Sequence, residues 1–439
     1  MAAQLHIGMS LSPTWLSGEG WRRPDSGVEG LYGADFALDV ARRAEAAHLD
    51  FVFRPDTLYL DRAMVETGPG FGALDPTLLM AALARETAHI GLLTTVSTTF
   101  WPPYVVARQL QSLNWLSGGR AGWNIVTALD GQRNFGMEAM PDAAARYARA
   151  EEFVDLVKKL WASYPAEALL ADRGTGRYGD AALVQPVSHR GESFAVEGPL
   201  NLPDPGYGPM PLVQAGASER GRDFAAAVAD AIFASSPDRG VAADLRADLR
   251  ARAVRQGRAA DAIRVLPGLS LYLAGSRAEA RDLHAATYAR VNRARKLASV
   301  REMTGLDLES WPGDRPITAA DLPPMPAAPR SRTHAELLRR MILREAPTPD
   351  ELMTRPEVMA SGHWQIVGTP AEAADEIAAW HAAGAIDGVV LLPGGSAGSM
   401  HLSLEALVPE LAGRGLFRQG YSGRSFRGHL EESRKPEAA

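Results

Sequence analysis

Eight short apolar runs, each followed by a longer amphipathic stretch, recur along the chain, and this alternation restricts the fold more than any other feature. The runs occupy 5–11, 51–56, 89–98, 121–127, 211–216, 231–235, 263–275 and 387–393. Their length and content predict strands. Apolar residues at helical spacing predict helices over 35–50, from Pro76, over 103–116, over 142–163, from Ser218, over 241–257, over 369–384 and over 403–414. Asp75 is the expected N-cap of the helix from Pro76, and Gly118–Gly119 closes the helix before the fourth strand. Short strands separated by helices imply a parallel sheet, and eight such units imply a closed (β/α)8 TIM barrel; a doubly wound open sheet would use about two fewer strands and a switch point.

Two stretches interrupt the repeat. Residues 164–210 are rich in Gly and Pro and read as a small hairpin excursion, while 276–362 is a long, partly helical tract containing "DLPPMPAAPRSR". The expected organisation is one barrel domain over 1–425 carrying these two insertions, then a polar tail at 426–439. An apolar share of 46% over 439 residues is enough for a large core. A net charge of −6 argues against nucleic acid as the main partner. There are no cysteines, which excludes disulfides, thiolate metal sites and a catalytic thiol. No window has eighteen uncharged apolar residues, and "MAAQLHIGMS" lacks a basic start, so a soluble cytoplasmic protein away from the membrane is expected.

Polar residues gather where the strands end. Asp56 follows the second strand, Thr94 and Thr95 lie in the third, Asn124 and Thr127 close the fourth, and Ser218 follows the fifth. In a barrel these carboxyl ends form the active-site face, so such groups can line a cavity instead of sitting unpaired in a core. Trp123 and Asn124 alternate, which predicts one facing the helices and the other the barrel interior near its mouth. An asparagine there could bind the amide edge of a flat heterocycle or simply a neighbouring loop. In "QAGASERGRDFA", Gly216 permits a close approach and Ser218 opens a helix whose first-turn N–H groups suit a phosphate; the same residues also read as an ordinary N-cap. The ten histidines contain no i, i+4 pair, and no dinucleotide, P-loop or nucleophile-elbow fingerprint occurs. No metal site is expected.

The segments "LTTVSTTFWPPYVVARQLQSLNWLSGGRAGWNIVT" (93–127), "RYARAEEFVDLVKKLW" (146–161), "VQAGASERGRDFAA" (213–226) and "VGTPAEAADEIAAWHAAGAIDGVVLLP" (367–393) resemble the bacterial luciferase-like flavin monooxygenases over almost the whole chain. The resemblance implies a barrel that binds reduced FMN delivered by a separate NAD(P)H-dependent flavin reductase. Molecular oxygen then adds to the flavin, giving a C4a-(hydro)peroxide that oxygenates a small organic substrate. It implies that Asp56, Thr94, Thr95, Asn124 and Thr127 surround the isoalloxazine and ribityl chain, and that Tyr147, Ala217 and Ser218 hold the phosphate. The Thr94–Thr95 link matches a position that can carry a non-prolyl cis peptide. No catalytic residue is assigned; Asn124 and Thr95, beside the ring, are the candidates. A homodimer or homotetramer is expected.

The pattern has departures. Ala143 replaces a usual His four residues before Tyr147, which leaves Arg146 as a possible substitute contact, and Arg54–Pro55 replaces small or apolar residues before Asp56. The first loop reads "WRRPDS", whose Arg22 or Arg23 could meet an anionic substrate or be merely solvated. Trp15, Trp21, Tyr59 and Trp364 are candidates to line the substrate pocket, with the two insertions shaping it. A deazaflavin-dependent dehydrogenase on the same scaffold and a non-catalytic flavin-binding protein are the alternatives.

Overall fold

The computed structural model describes residues 4–432 except Phe71, Ala217, Val291, Asn292, Ala328, Arg330, Ser331, Ala360 and Ser361. Strands β1 (His6–Ser10), β2 (Phe51–Arg54), β3 (Gly91–Ser97), β4 (Ala121–Val126), β5 (Leu212–Ala215), β6 (Ala231–Ala234) and β7 (Arg264–Leu273) follow one another in the chain. After β8 (Trp364–Gly368) comes β9 (Gly388–Pro393). Neighbours pair in parallel in the order β6-β5-β4-β3-β2-β1-β9-β7, and β6 pairs again with β7, so eight strands close a barrel with helices outside. The fold is therefore the expected (β/α)8 TIM barrel.

Closure depends on the unusual length of β7. Its first part, Arg264–Pro267, pairs with β6, while Gly268–Leu271 pairs with β9. On the edge that β6 leaves open, Leu269–Leu273 takes up the ninth strand, β8, which the sequence pattern does not single out. Trp364 of β8 faces outward: its indole stacks on Trp380 at 3.7 Å and donates from Nε1 to Glu376 at 2.7 Å. It ties the strand to the helix Pro370–Ala382 and is no pocket residue.

The expected tail at 426–439 needs correction. Phe426–Glu432 is a helix whose Phe426 and Leu430 are fully buried; 433–439 lie outside the described residues. Phe426 plugs the amino-terminal end of the barrel, with its ring 5.2 Å from that of Phe51. Gly91 and Gly122 make the room: a Cβ on either would come within 2.7 and 2.5 Å of the Phe426 ring, respectively. Beside the plug, fully buried Asp50 accepts from Arg418 at 2.6 Å and from the Ile7 backbone N–H at 2.7 Å. Burial alone would raise this carboxyl, but Arg418 and His6 hold it at about 2.

The two interruptions of the repeat differ in position. Residues 164–210 contain two small antiparallel ribbons, Leu169–Asp172 with Arg177–Gly179 and His189–Arg190 with Ala195–Val196. Glu152, on the helix Ala143–Ala162, accepts from His189 Nε2 at 2.9 Å and from the backbone N–H of Ser193 and Phe194. Pro203 accepts from Trp115 Nε1 at 2.7 Å, so this excursion lies along the outer helices. The second tract includes Arg277–Thr287, Arg293–Thr304 and Arg332–Glu345 and has its own apolar cluster, with Val300, Ile317, Leu338 and Ile342 fully buried.

Candidate active site

The strands' carboxyl ends open into a cavity of about 1620 Å³. Asp56 after β2, Ser97 of β3, Thr127 after β4, Gly216 after β5 and Ser235 after β6 all line it. Period-2 alternation explains the set: residues that point inward near a strand's end reach the mouth, while their neighbours enter the helix layer. Trp123 shows the outward case, packing 6.0 Å from Phe153 and donating its indole N–H to Val96 O.

One end of the cavity is built for an anion. Ser218 caps the ten-residue helix Glu219–Val228, its Oγ accepting from the Gly221 N–H at 3.2 Å. Tyr147, buried and 5.7 Å from Phe224 between ring centroids, directs its hydroxyl to the same turn. A Cβ at Gly221 would sit 2.7 Å from the Tyr147 hydroxyl and 3.0 Å from Ser218 Oγ, so only glycine leaves this cradle open. Gly216, at φ +116°, turns the chain from β5 into the helix in a conformation that side chains resist. Arg146 also lines the cavity; its Nη1 donates to Pro141 O at 2.5 Å and its buried Nε has no partner. Ala143, the departure from the expected histidine, faces the same space. Helix-terminal N–H groups, a serine, a tyrosine and an arginine form a donor set that suits a phosphate.

The residues expected around a flavin fall into two levels. Asp56, Thr127, Tyr147 and Ser218 line the cavity. Thr94, Thr95 and Asn124 lie deeper inside the barrel, at 0, 3 and 1% exposure, so Asn124 is not at the mouth. There Asn124 Nδ2 donates to Thr95 Oγ1 at 2.9 Å, Thr95 Oγ1 donates to Arg54 O at 2.6 Å, and the Thr94 and Thr77 hydroxyls lie 3.0 Å apart. Asn124 Oδ1 is left buried without a partner, and so is Oε1 of nearby Gln214 on β5. Gln214, one polar residue inside a buried strand, carries the same sequence signal as Asn124. The Thr94–Thr95 bond is trans; among the described residues the cis peptide is Gly198–Pro199. Ala217 lies outside the described residues.

Of the aromatic candidates, Trp21 and Tyr59 line the cavity, and Trp21 is held by its Nε1 donating to Thr67 O at 3.0 Å. Trp15 is 2% exposed and stacks on Phe36 at 5.7 Å, which makes it core, like Trp364. Arg22 and Arg23 pair with Glu19 and Asp25 and do not reach the cavity. The 164–210 insertion supplies none of the lining, because it runs along the outer helices; the second tract supplies Arg295, Ser299, Met303 and His334. Burial, reinforced by the charge of Asp75, raises the Asp56 carboxyl above its ordinary value. Among the described residues no cluster of three or more histidine or acidic side chains could hold a metal ion, and no helix is long and apolar enough to cross a membrane.

Comparison with known proteins adds to this geometry. Residues 16–386 match the pattern described as "Luciferase-like monooxygenase". The chain is 35% identical to nitrilotriacetate monooxygenase component A of Aminobacter aminovorans, covering 97% of this chain and 96% of that one. It is 34% identical to dibenzothiophene-sulfone monooxygenase of Rhodococcus erythropolis, over 93% of this chain and 92% of that protein. Among solved structures, a riboflavin lyase with modified FMN and riboflavin superposes with a TM-score of 0.83 at 30% identity, covering 97% of this chain and 95% of that one.

Proposed function

Because the chain belongs to the luciferase-like monooxygenase family and is thereby a flavin-dependent monooxygenase, we propose that it binds reduced FMN from a separate NAD(P)H-dependent flavin reductase and oxygenates a small organic substrate. The observation that carries this reading is the cradle of Tyr147, Ser218 and Gly221 at a helix N-terminus, opening into a cavity large enough for a flavin and a second molecule. The relatives at 34–35% identity are named monooxygenases, so the dehydrogenase and non-catalytic alternatives are set aside.

The residues present fit FMN. The first-turn N–H groups, Ser218, the Tyr147 hydroxyl and Arg146 would take the phosphate, and Thr127 and Asp56 would flank the ribityl chain and ring. Beneath the cavity floor, the oxygens of Asn124 and Gln214 are buried and unpartnered but do not line the cavity, so the ring would rest above them. Bound reduced FMN would supply the electrons that activate dioxygen. The chain's own contribution is orientation and exclusion of water, the latter by an apolar wall that includes Leu58, Phe233 and Met303. Oxygen uptake with an unrelated flavin reductase, NADH and FMN, measured across a panel of organic compounds, tests the reading. Compound-dependent oxygenation is the expected result, and its absence across a broad panel in protein that binds no FMN would refute it.

A further inference from the structure

Three polar side chains on the cavity wall are not needed to hold a flavin. Ser235 follows β6, His334 lies in the first turn of the helix Arg332–Glu345, and His363 immediately precedes β8; all three line the cavity. Ser235 Oγ lies 3.4 Å from His334 Nε2. Gly362 locks the junction, since a Cβ there would lie 2.9 Å from His334 Cδ2 and 3.0 Å from Ser235 Cβ. The His363 ring tilts against Phe233 at 5.3 Å, and its Nδ1 side packs over Gly268 of β7, where any Cβ would collide with it.

That packing fixes the tautomer of His363. Its Nδ1 is buried without a hydrogen-bond partner. An orphaned buried N–H is rarer in proteins than an orphaned acceptor, so the ring proton belongs on Nε2, the nitrogen left to the cavity. Burial, with the charge of His334 adding to it, pushes His363 down to about 4, and burial also lowers His334. Both imidazoles are thus neutral near pH 7 and offer no cationic seat. Three arginines line the cavity against six carboxylates, Asp56, Asp61, Glu66, Asp130, Asp142 and Glu302. Arg332 is already paired with Glu336 at 3.1 Å and Arg146 belongs to the phosphate cradle, which leaves Arg295 as the third arginine, one cation set against the six carboxylates. A polyanion would meet net repulsion here.

Building on the oxygenase reading, we infer that this wall selects an uncharged, mainly apolar substrate carrying one acceptor oxygen, to which His363 donates from Nε2 with Ser235 and His334 beside it. The position makes His363 a specificity-determining residue of the cavity.

Calorimetric titration of the protein, with and without FMN, tests this with diphenyl sulfoxide and benzophenone as uncharged acceptor probes and citrate as the polyanion. The sulfoxide and the ketone bind and citrate does not. His363→Leu weakens the two uncharged probes about tenfold, the scale of one lost hydrogen bond with its acceptor desolvated. His363→Gln, which keeps an N–H donor, stays within about threefold of wild type. Nitrogen NMR of the wild-type histidine, which needs no variant to fold, reads the Nε2–H tautomer at pH 7. Equal affinities in wild type and His363→Leu, tighter binding of citrate, failure of both uncharged probes to bind, or an Nδ1–H tautomer each overturn the inference. Failure of FMN to bind is a separate result and counts against the oxygenase reading, since the probe titrations and the tautomer are read without turnover.

Discussion

Replacing Gly221 with alanine separates folding from cofactor binding in a single methyl group. The new Cβ would lie 2.7 Å from the Tyr147 hydroxyl, and the Tyr147 ring, packed 5.7 Å from Phe224, has little room to retreat. Reaching an ordinary contact requires the hydroxyl to shift by roughly half an ångström or more, enough to lose a good hydrogen bond to a phosphate oxygen. A bond to a charged group contributes about 1.5–3 kcal/mol, so FMN affinity should fall about ten- to a hundredfold. Fold stability should fall by less. Gly221 is the third residue of the helix Glu219–Val228, and alanine in a helix is favoured over glycine by up to about 1 kcal/mol, which offsets part of the crowding against Tyr147 and Ser218. Flavin-fluorescence titration combined with thermal melting of the apoprotein reads both effects: clearly weaker FMN binding with a Tm lowered by only a few degrees. An affinity within twofold of wild type at unchanged Tm would mean that Tyr147 and Ser218 do not hold the phosphate. Ser218→Ala with Tyr147→Phe checks the same assignment from the other side and should weaken FMN by about 1–3 kcal/mol.

Phe426→Ala should destabilise the fold by about 3–5 kcal/mol in chemical denaturation, because it opens a cavity between Phe51 and the glycines of β3 and β4; a loss under 1 kcal/mol would show that the plug is dispensable. His363, lowered to about 4 in the fold, binds its proton less readily there than in the unfolded chain, where the value is about 6.5. Its contribution is therefore present above about pH 6.5 and is lost as pH falls toward 4, by at most about 3 kcal/mol; His363→Gln should flatten wild-type stability across that window, and an unchanged slope contradicts the assignment. Hydrogen exchange should slow within 293–304 and 332–345 on binding FMN and substrate but not within 164–210, and protection of the latter alone would misplace the entrance.

The barrel was legible because each of its eight strands is a compact apolar run between helical periods, as in "HIGLLTTVST" and "DGVVLLP". The polar ends of those strands pointed to Asp56 and Thr127, which line the cavity, by the same logic, whereas Asn124 lies deeper and spends its amide N–H on Thr95. What escaped has a tertiary origin. Strand β8 is five residues just after an irregular tract and is a strand only because the long β7 leaves it an edge. The plug helix, with charged neighbours around Phe426, reads as a tail until Gly91 and Gly122 are seen to vacate space for it. Trp15 and Trp364 illustrate how little size reveals: both are large aromatics, and both are consumed by stacking in the core. His334 and His363 carry no local pattern at all, because an insertion helix and a pre-strand residue meet only through the fold.

Anaerobic titration of the wild-type protein with photoreduced FMN and, in parallel, photoreduced riboflavin tests the central claim most directly, since the two ligands differ only in the phosphate that the Ser218 helix is read to hold. Reduced FMN should bind at least about tenfold tighter than reduced riboflavin, the discrimination expected from charge-assisted bonds to that phosphate. Equal affinity for the two, or no binding of either, would contradict the account.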